Sequence, residues 1–286
     1  MGEARQTERV VRPAAVAGTW YPGSEQELRR MISGLLADAP RLELSGRVLG
    51  LIAPHAGYAY SGPTAAIAYA QLAGESYDRV LVMSPSHRGL WRDDFVVAAA
   101  THYETPLGLV EMDEQFIGRL AQRVGLGRVQ RDDEHSLEIQ LPFLQVVLGS
   151  FRLVPVMIST DDGASARRLG EVLGDMIQSH EGSTLLVASS DLHHISEYSE
   201  VVRRDRMVVD ALTSYDMQRI EAVLTDRGSS VCGRMPILAV LEAARALGAD
   251  DIQVLHQTTS GDVTGDRRPG QYTVGYVAAA MIASRP

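Results

Sequence analysis

Four of the eight histidines stand where an open α/β sheet would present reactive groups: His55, His87 and the adjacent pair His193 and His194. Each follows a short apolar run. Residues 48–53 break at Pro54 just before His55, residues 79–86 end in Ser84-Pro85-Ser86 before His87, and residues 183–190 lead into Asp191 and the histidine pair. In such sheets ligands bind outside the carboxyl ends of the strands, where groups distant in sequence converge. Cys232, just before a helical stretch, adds a thiol. Imidazole, carboxylate and thiolate are the side chains that hold first-row transition metals.

Each of these residues also has a plainer explanation. A lone histidine after a strand is ordinarily a hydrogen-bonded loop residue, and a free cysteine often packs as a small hydrophobe. What favours ligation is recurrence at three strand ends. His102, His180 and His256 lack this context and read as surface or packing residues. His193 and His194 diverge in direction, and spacing does not choose between them. At a helix start, Cys232 is expected to have a lowered thiol pKa.

The elements that position these groups are legible as patterns. Ser24 with Glu27 forms a capping box ahead of the stripe Leu28, Met31, Ile32, Leu35 and Leu36. Asp113 caps a second helix. Glu134, His135 and Glu138 occupy the polar first turns of a third, with the acids at the positive end of its dipole. Glu134 and His135 are candidates for supporting the site or touching substrate. Residues 17–23 carry Trp20, either a packed anchor or a pocket wall. A small-residue helix is expected over 61–72 and a surface helix over 164–178. Pro155 inside the run 153–158 predicts an edge strand or a bulge. Helices over 197–213 and 216–225 precede closing strands at 252–259 and 272–280. Strands alternating with helices predict an α/β fold with a mostly parallel or mixed sheet flanked by helices. No linker or repeat divides the chain, so one domain over 1–286 is expected, with residues 1–12 a loose terminus.

Composition narrows the function. A net charge of −9 argues against nucleic acid, whose phosphates call for clustered Lys and Arg. No apolar run approaches the ~20 residues of a membrane span. A single cysteine allows no disulfide within the chain, and the polar first ten residues do not read as a signal peptide, so a cytoplasmic protein is expected. The serine-hydrolase elbow, the P-loop and the dinucleotide fingerprint are all missing from the sequence.

Taken together, Pro54-His55-Ala56-Gly57-Tyr58, Ser84-Pro85-Ser86-His87, Asp133-Glu134-His135-Ser136-Leu137-Glu138, Ser189-Ser190-Asp191 with His194, and Cys232-Gly233-Arg234 resemble the Memo-like family, whose prokaryotic members are called AmmeMemoRadiSam system protein B. The resemblance runs from about Arg12 to Ile282. It implies a fold related to the class III extradiol dioxygenases, which use non-haem Fe(II). It also implies a metal held by His55, His87 and Cys232, with Asp191 and His194 alongside, and it selects His194 over His193. The pocket is expected to include Glu134, His135, Tyr58, Ser86 and Trp20. Cys232 stands where a dioxygenase triad has a carboxylate, so ring cleavage does not carry over. Met235 stands where some members have histidine.

These readings lead to a mononuclear metal protein. Iron is favoured over copper or zinc, Asp191 and His194 are the acid/base candidates, and O2-dependent chemistry acts on a small substrate. A binding module for a metal or short peptide, working with a radical-SAM partner, is the alternative; a metal-free Cys232–His hydrolase is a third reading.

Overall fold

Strand register is what brings the distant histidines together. The computed structural model describes residues 9–88 and 91–284. It begins with strand β1 (Val11–Arg12) and helix α1 (Glu25–Asp38). Ser24 caps α1 by accepting from the Glu27 N–H at 3.3 Å, while the Glu27 carboxylate takes the Ser24 hydroxyl at 2.8 Å rather than reaching back to the cap N–H. Leu28 and Ile32 form its buried face. Then come β2 (Gly46–Ala53), α2 (Tyr58–Ala70) and β3 (Arg79–Pro85).

The middle of the chain supplies β4 (Phe95–Ala98), β5 (His102–Thr105), β6 (Gly108–Glu111), α3 (Glu114–Val124) and β7 (Gly127–Val129). Two short helices, α4 (His135–Glu138) and α5 (Leu141–Leu148), lead to β8 (Arg152–Ile158), α6 (Gly163–Gln178), β9 (Thr184–Ser189) and β10 (His194–Ile195). The chain closes with α7 (Tyr198–Ser214), α8 (Met217–Leu224), α9 (Arg234–Ala246), β11 (Asp251–Thr259), α10 (Ser260–Thr264) and β12 (Thr273–Ser284).

The main sheet has the order β10-β12-β2-β9-β3-β8-β4-β7, with β11 on the other side of β12. Strands β2, β9, β3 and β8 are parallel, whereas β12 runs against β2 and β4 against β8, so the sheet is mixed. Its central strands are buried on both faces, which explains their continuous apolar runs. β9 slots between β2 and β3, with Ala53 opposite Ser189 and Met83 opposite Ala188. The three carboxyl ends therefore finish side by side, and His55, His87 and Asp191 leave the sheet at one edge. A second sheet, β1-β5-β6, packs separately.

Three expectations change. Residues 1–8 lie outside the described residues, but Val11 and Arg12 are not loose: β1 pairs with β5, and Arg12 is buried in ion pairs with Asp132 and Glu138. Strand β8 is interior; it pairs with β3 throughout and with β4 only at Met157 and Ile158, so Pro155 has no β4 partner to lose. Helix α6 is a surface helix as expected, exposing Arg168, Glu171, Asp175 and Gln178 on one face and burying the other. It packs on α9 closely enough that a Cβ on Gly170 would lie 2.5 Å from the Ala239 carbonyl oxygen. Helix α2 begins at Tyr58, three residues earlier than its pattern predicts. Among the described residues, no helix is long and apolar enough to cross a membrane.

Candidate metal centre

Ser189, the last residue of β9, determines what His55 can do. Its Oγ donates to the Ser136 carbonyl at 2.5 Å and accepts from Gln140 Nε2 at 2.7 Å. Gln140 is oriented in turn: its amide nitrogen faces the Pro54 carbonyl at 3.0 Å, and its oxygen accepts from the Tyr69 hydroxyl at 2.7 Å. With the one hydroxyl hydrogen committed, Ser189 Oγ can only accept from His55 Nδ1, 3.0 Å away. His55 is thus the Nδ1–H tautomer, and its Nε2 carries a bare lone pair. That atom is buried and has no hydrogen-bond partner. Burial, together with the neighbouring His87 and His135, holds the His55 pKa well below its ordinary value, so the ring is neutral. The 4.0 Å approach of Nε2 to Asp191 is therefore not an ion pair.

Glu134 does the same for His87. This carboxylate caps α4 through the N–H groups of His135 and Ser136 and accepts the His87 and Arg88 backbone N–H groups at 2.5 and 3.2 Å. Burial raises its pKa, but the His87 ring hydrogen bond and the charges of His135 and His87 outweigh this and hold it well below the usual range. An ionised carboxylate only accepts, so His87 Nδ1, at 3.1 Å, is the donor, and in the neutral ring Nε2 is the bare nitrogen. Carboxylate–histidine pairs of this kind orient metal-ligating imidazoles. His135 Nδ1 also lies 3.1 Å from Glu134, but at an angle that makes no hydrogen bond. Burial pushes His135 down to about 4.

Cys232 stands two residues before α9, and there burial prevails over the helix dipole. Burial, with Asp191 and Glu134 adding negative charge, pushes the thiol well above its ordinary range, the reverse of the sequence expectation. Its Sγ is 2.9 Å from His194 Nε2, and His194 Nδ1 is 3.1 Å from the Tyr272 hydroxyl. Burial lowers His194 to about 4. The adjacent His193 turns away and bonds Asp205 at 2.8 Å, so the structure separates the histidine pair that spacing left ambiguous. Asp191 accepts from the His55 backbone N–H at 2.7 Å, and burial pushes it up to about 7.

One donor atom each from His55, His87 and Cys232 lies within 4.8 Å of the others. His87, Glu134 and His135 form a second such group, but Glu134 is already saturated with N–H donors, which suits it to orient ligands rather than to bind an ion. Two bare imidazole nitrogens and a thiol fit a transition-metal ion. The cluster opens into a cavity of about 690 Å³ that Trp20, His135, Asp191 and His194 also line.

Three expected pocket residues do not line that cavity. Tyr58, as the first residue of α2, turns inward and donates its hydroxyl to the Ile139 carbonyl at 2.7 Å; Tyr60 faces the cavity in its place. Ser86 extends the ladder to Ile158. Glu134 sits behind the histidines. Glu138 neutralises buried Arg12 and accepts from the Ala15 and Val16 N–H groups. Sequence reasoning missed Gln140, Ser189 and Tyr272 as supporting residues. Of these, only Ser189 carried a signal, as the polar end of an apolar run.

A family model described as Memo-like protein matches residues 12–280. The chain is 37% identical over 284 residues to the MEMO1 family protein MK0963 of Methanopyrus kandleri, covering 93% of this chain and 97% of that one. It is 31% identical over 281 residues to a MEMO1 family protein of Nitrosopumilus maritimus, covering 96% and 100%. A third relative, from Ignicoccus hospitalis, is 34% identical over 285 residues, covering 94% and 98%. Coverage from β1 to β12 takes in every strand end and helix start that carries the cluster, and on it the chain belongs to the Memo-like family.

Proposed function

We propose that this chain holds one metal ion through His55 Nε2, His87 Nε2 and Cys232 Sγ, and that it acts on a small organic molecule in the adjoining cavity. The observation that carries this reading is the buried, unpartnered His55 Nε2, fixed as a lone pair by Ser189 and Gln140 and aimed at two further donors. Two imidazoles with a thiolate suit iron, copper or zinc; the dioxygenase-like fold of the family favours Fe(II), which would supply O2-dependent redox chemistry.

The surrounding residues have separate tasks. A thiol held protonated by burial must lose its proton to ligate, which only the ion's own charge would drive; His194 Nε2, at 2.9 Å, takes the thiol's hydrogen bond and is kept neutral by burial. Tyr272 orients that imidazole from its other nitrogen. Asp191 fixes the His55 backbone, and Glu134 fixes the His87 ring. Trp20, its ring centroid 4.2 Å from that of His135, walls the cavity.

The test is metal content after anaerobic expression and purification, for wild type and for His55→Ala, His87→Ala and Cys232→Ala. Near-stoichiometric iron in the wild type, lost in all three variants, supports the assignment. A wild type that stays metal-free after anaerobic Fe(II) reconstitution refutes it. If iron binds but no O2 is consumed with any organic substrate, the chain is a binding module rather than an oxidoreductase.

A further inference from the structure

Cys232 is joined to the surface by a short line of hydrogen-bonding groups. Its Sγ lies 2.9 Å from His194 Nε2, and His194 Nδ1 lies 3.1 Å from the Tyr272 hydroxyl. Cys232 is half-buried, whereas Tyr272 is 56% exposed. The sheet fixes this alignment. β10 pairs with β12, with His194 opposite Val274 and Ile195 opposite Thr273, so Tyr272, the residue just before β12, meets the histidine ring. The His194 backbone N–H is held as well, by Ser230 Oγ at 3.0 Å.

The direction of the line follows from which groups can donate. A protonated thiol gives its hydrogen to Nε2, the stronger acceptor of the two atoms. In a neutral imidazole the other nitrogen then carries the proton, so Nδ1–H donates to the Tyr272 oxygen and the phenol hydrogen faces outward. A thiolate only accepts. Once Cys232 ligates, the favoured arrangement is therefore the reverse, with the Tyr272 O–H donating to Nδ1 and Nε2–H donating to Sγ. Moving each hydrogen one place along converts one arrangement into the other. The S–H bond breaks as Nε2–H forms, Nδ1–H breaks as a new Tyr272 O–H forms, and the original phenol proton passes to water. The electron pair left on sulfur makes the bond to the metal, and the imidazole is neutral before and after. We propose that His194 and Tyr272 form a relay that carries the Cys232 proton to solvent as the site takes up its ion, His194 exchanging one neutral tautomer for the other. The proposal rests on the metal-site reading and deepens it, since ligation by a thiol releases a proton that needs a way out.

Zn(II), a diamagnetic probe, tests the relay in the full-length protein. Nitrogen-15 NMR should show His194 protonated at Nδ1 in chelator-treated protein and at Nε2 once zinc is bound. In stopped-flow mixing with a pH indicator, Tyr272→Phe should slow zinc uptake and its proton release by about 10-fold or more, while the final zinc content matches wild type. The relay is overturned if His194 keeps one tautomer with and without zinc, which is the result expected if Tyr272 only orients the ring. It is equally overturned if Tyr272→Phe loads as fast as wild type, because the proton then leaves directly into the cavity that Cys232 borders. A wild type that takes up no zinc, or a Cys232→Ala variant that retains it, overturns the site reading and the relay together. Zinc bound through Cys232 with His194 unchanged overturns the relay alone.

Discussion

Replacing Ser189 with alanine removes a single oxygen that serves three buried partners. The Ser136 carbonyl, one Gln140 N–H and His55 Nδ1–H would all lose it. Each orphaned buried group costs about 1–3 kcal/mol, and partial relaxation brings the expected loss of metal-free stability to about 2–4 kcal/mol. The more specific effect concerns the ring. Without its acceptor, His55 is no longer confined to the tautomer that presents Nε2 as a lone pair. Loss of such an outer partner typically lowers metal affinity about 10–100-fold, equivalent to about 1.4–2.7 kcal/mol. The assay is anaerobic chelator competition with Fe(II) and Zn(II), paired with urea unfolding of the metal-free protein. Gln140→Leu serves as the comparison: it leaves Ser189 free to accept from His55, so it should lower stability with much less effect on affinity. If Ser189→Ala binds metal within about twofold of wild type despite its lower stability, the tautomer argument is wrong.

Three further outcomes are expected. Arg12→Ala leaves Asp132 and Glu138 as uncompensated buried acids and should cost about 3–5 kcal/mol in urea unfolding. Gly275→Ala drives a methyl group into the Asp205 carboxylate that holds His193 and should cost about 1–3 kcal/mol, read from the unfolding midpoint. Burial, helped by the charge of Glu75, pushes the Tyr77 hydroxyl up to about 12, where it donates to the Val48 carbonyl. Because the unfolded phenol ionises near 10, its contribution is complete below that pH and is lost as pH rises from about 10 to 12, at about 1.4 kcal/mol per unit. Tyr77→Phe should lack that part of the alkaline slope; an unchanged slope would show that Tyr77 is not its source.

The strand ends were legible because each is a local pattern, an apolar run broken by small polar residues and followed by a histidine. Helix caps at Ser24 and Asp113 were readable for the same reason, since cap and partner lie three residues apart. Long-range pairings were not. Gln140 and Ser189 are 49 residues apart, and Arg12 is 126 from Glu138, so no window along the sequence joins them. The Pro155 expectation failed because a proline disrupts an interior strand only where a neighbour needs its N–H, and β4 is too short to reach it. Tyr58 was misplaced through the helix start: with α2 beginning at Tyr58 itself, its ring faces the core. For Cys232, the helix-start argument took no account of burial, which pushes the thiol up.

The position of β9 also sets a timetable. Synthesis delivers β2 and β3 first, yet they are never neighbours; the strand that joins them emerges only after β8 and α6 have been made. Until then His55 and His87 belong to an open, unfinished sheet, and Cys232 follows later still. Such non-local closure is slow and comes near the end of folding. On the proposed assignment, the nascent chain cannot gather an ion as it grows. On that assignment metal enters a finished molecule, through the cavity that Tyr60 and Tyr272 help to line.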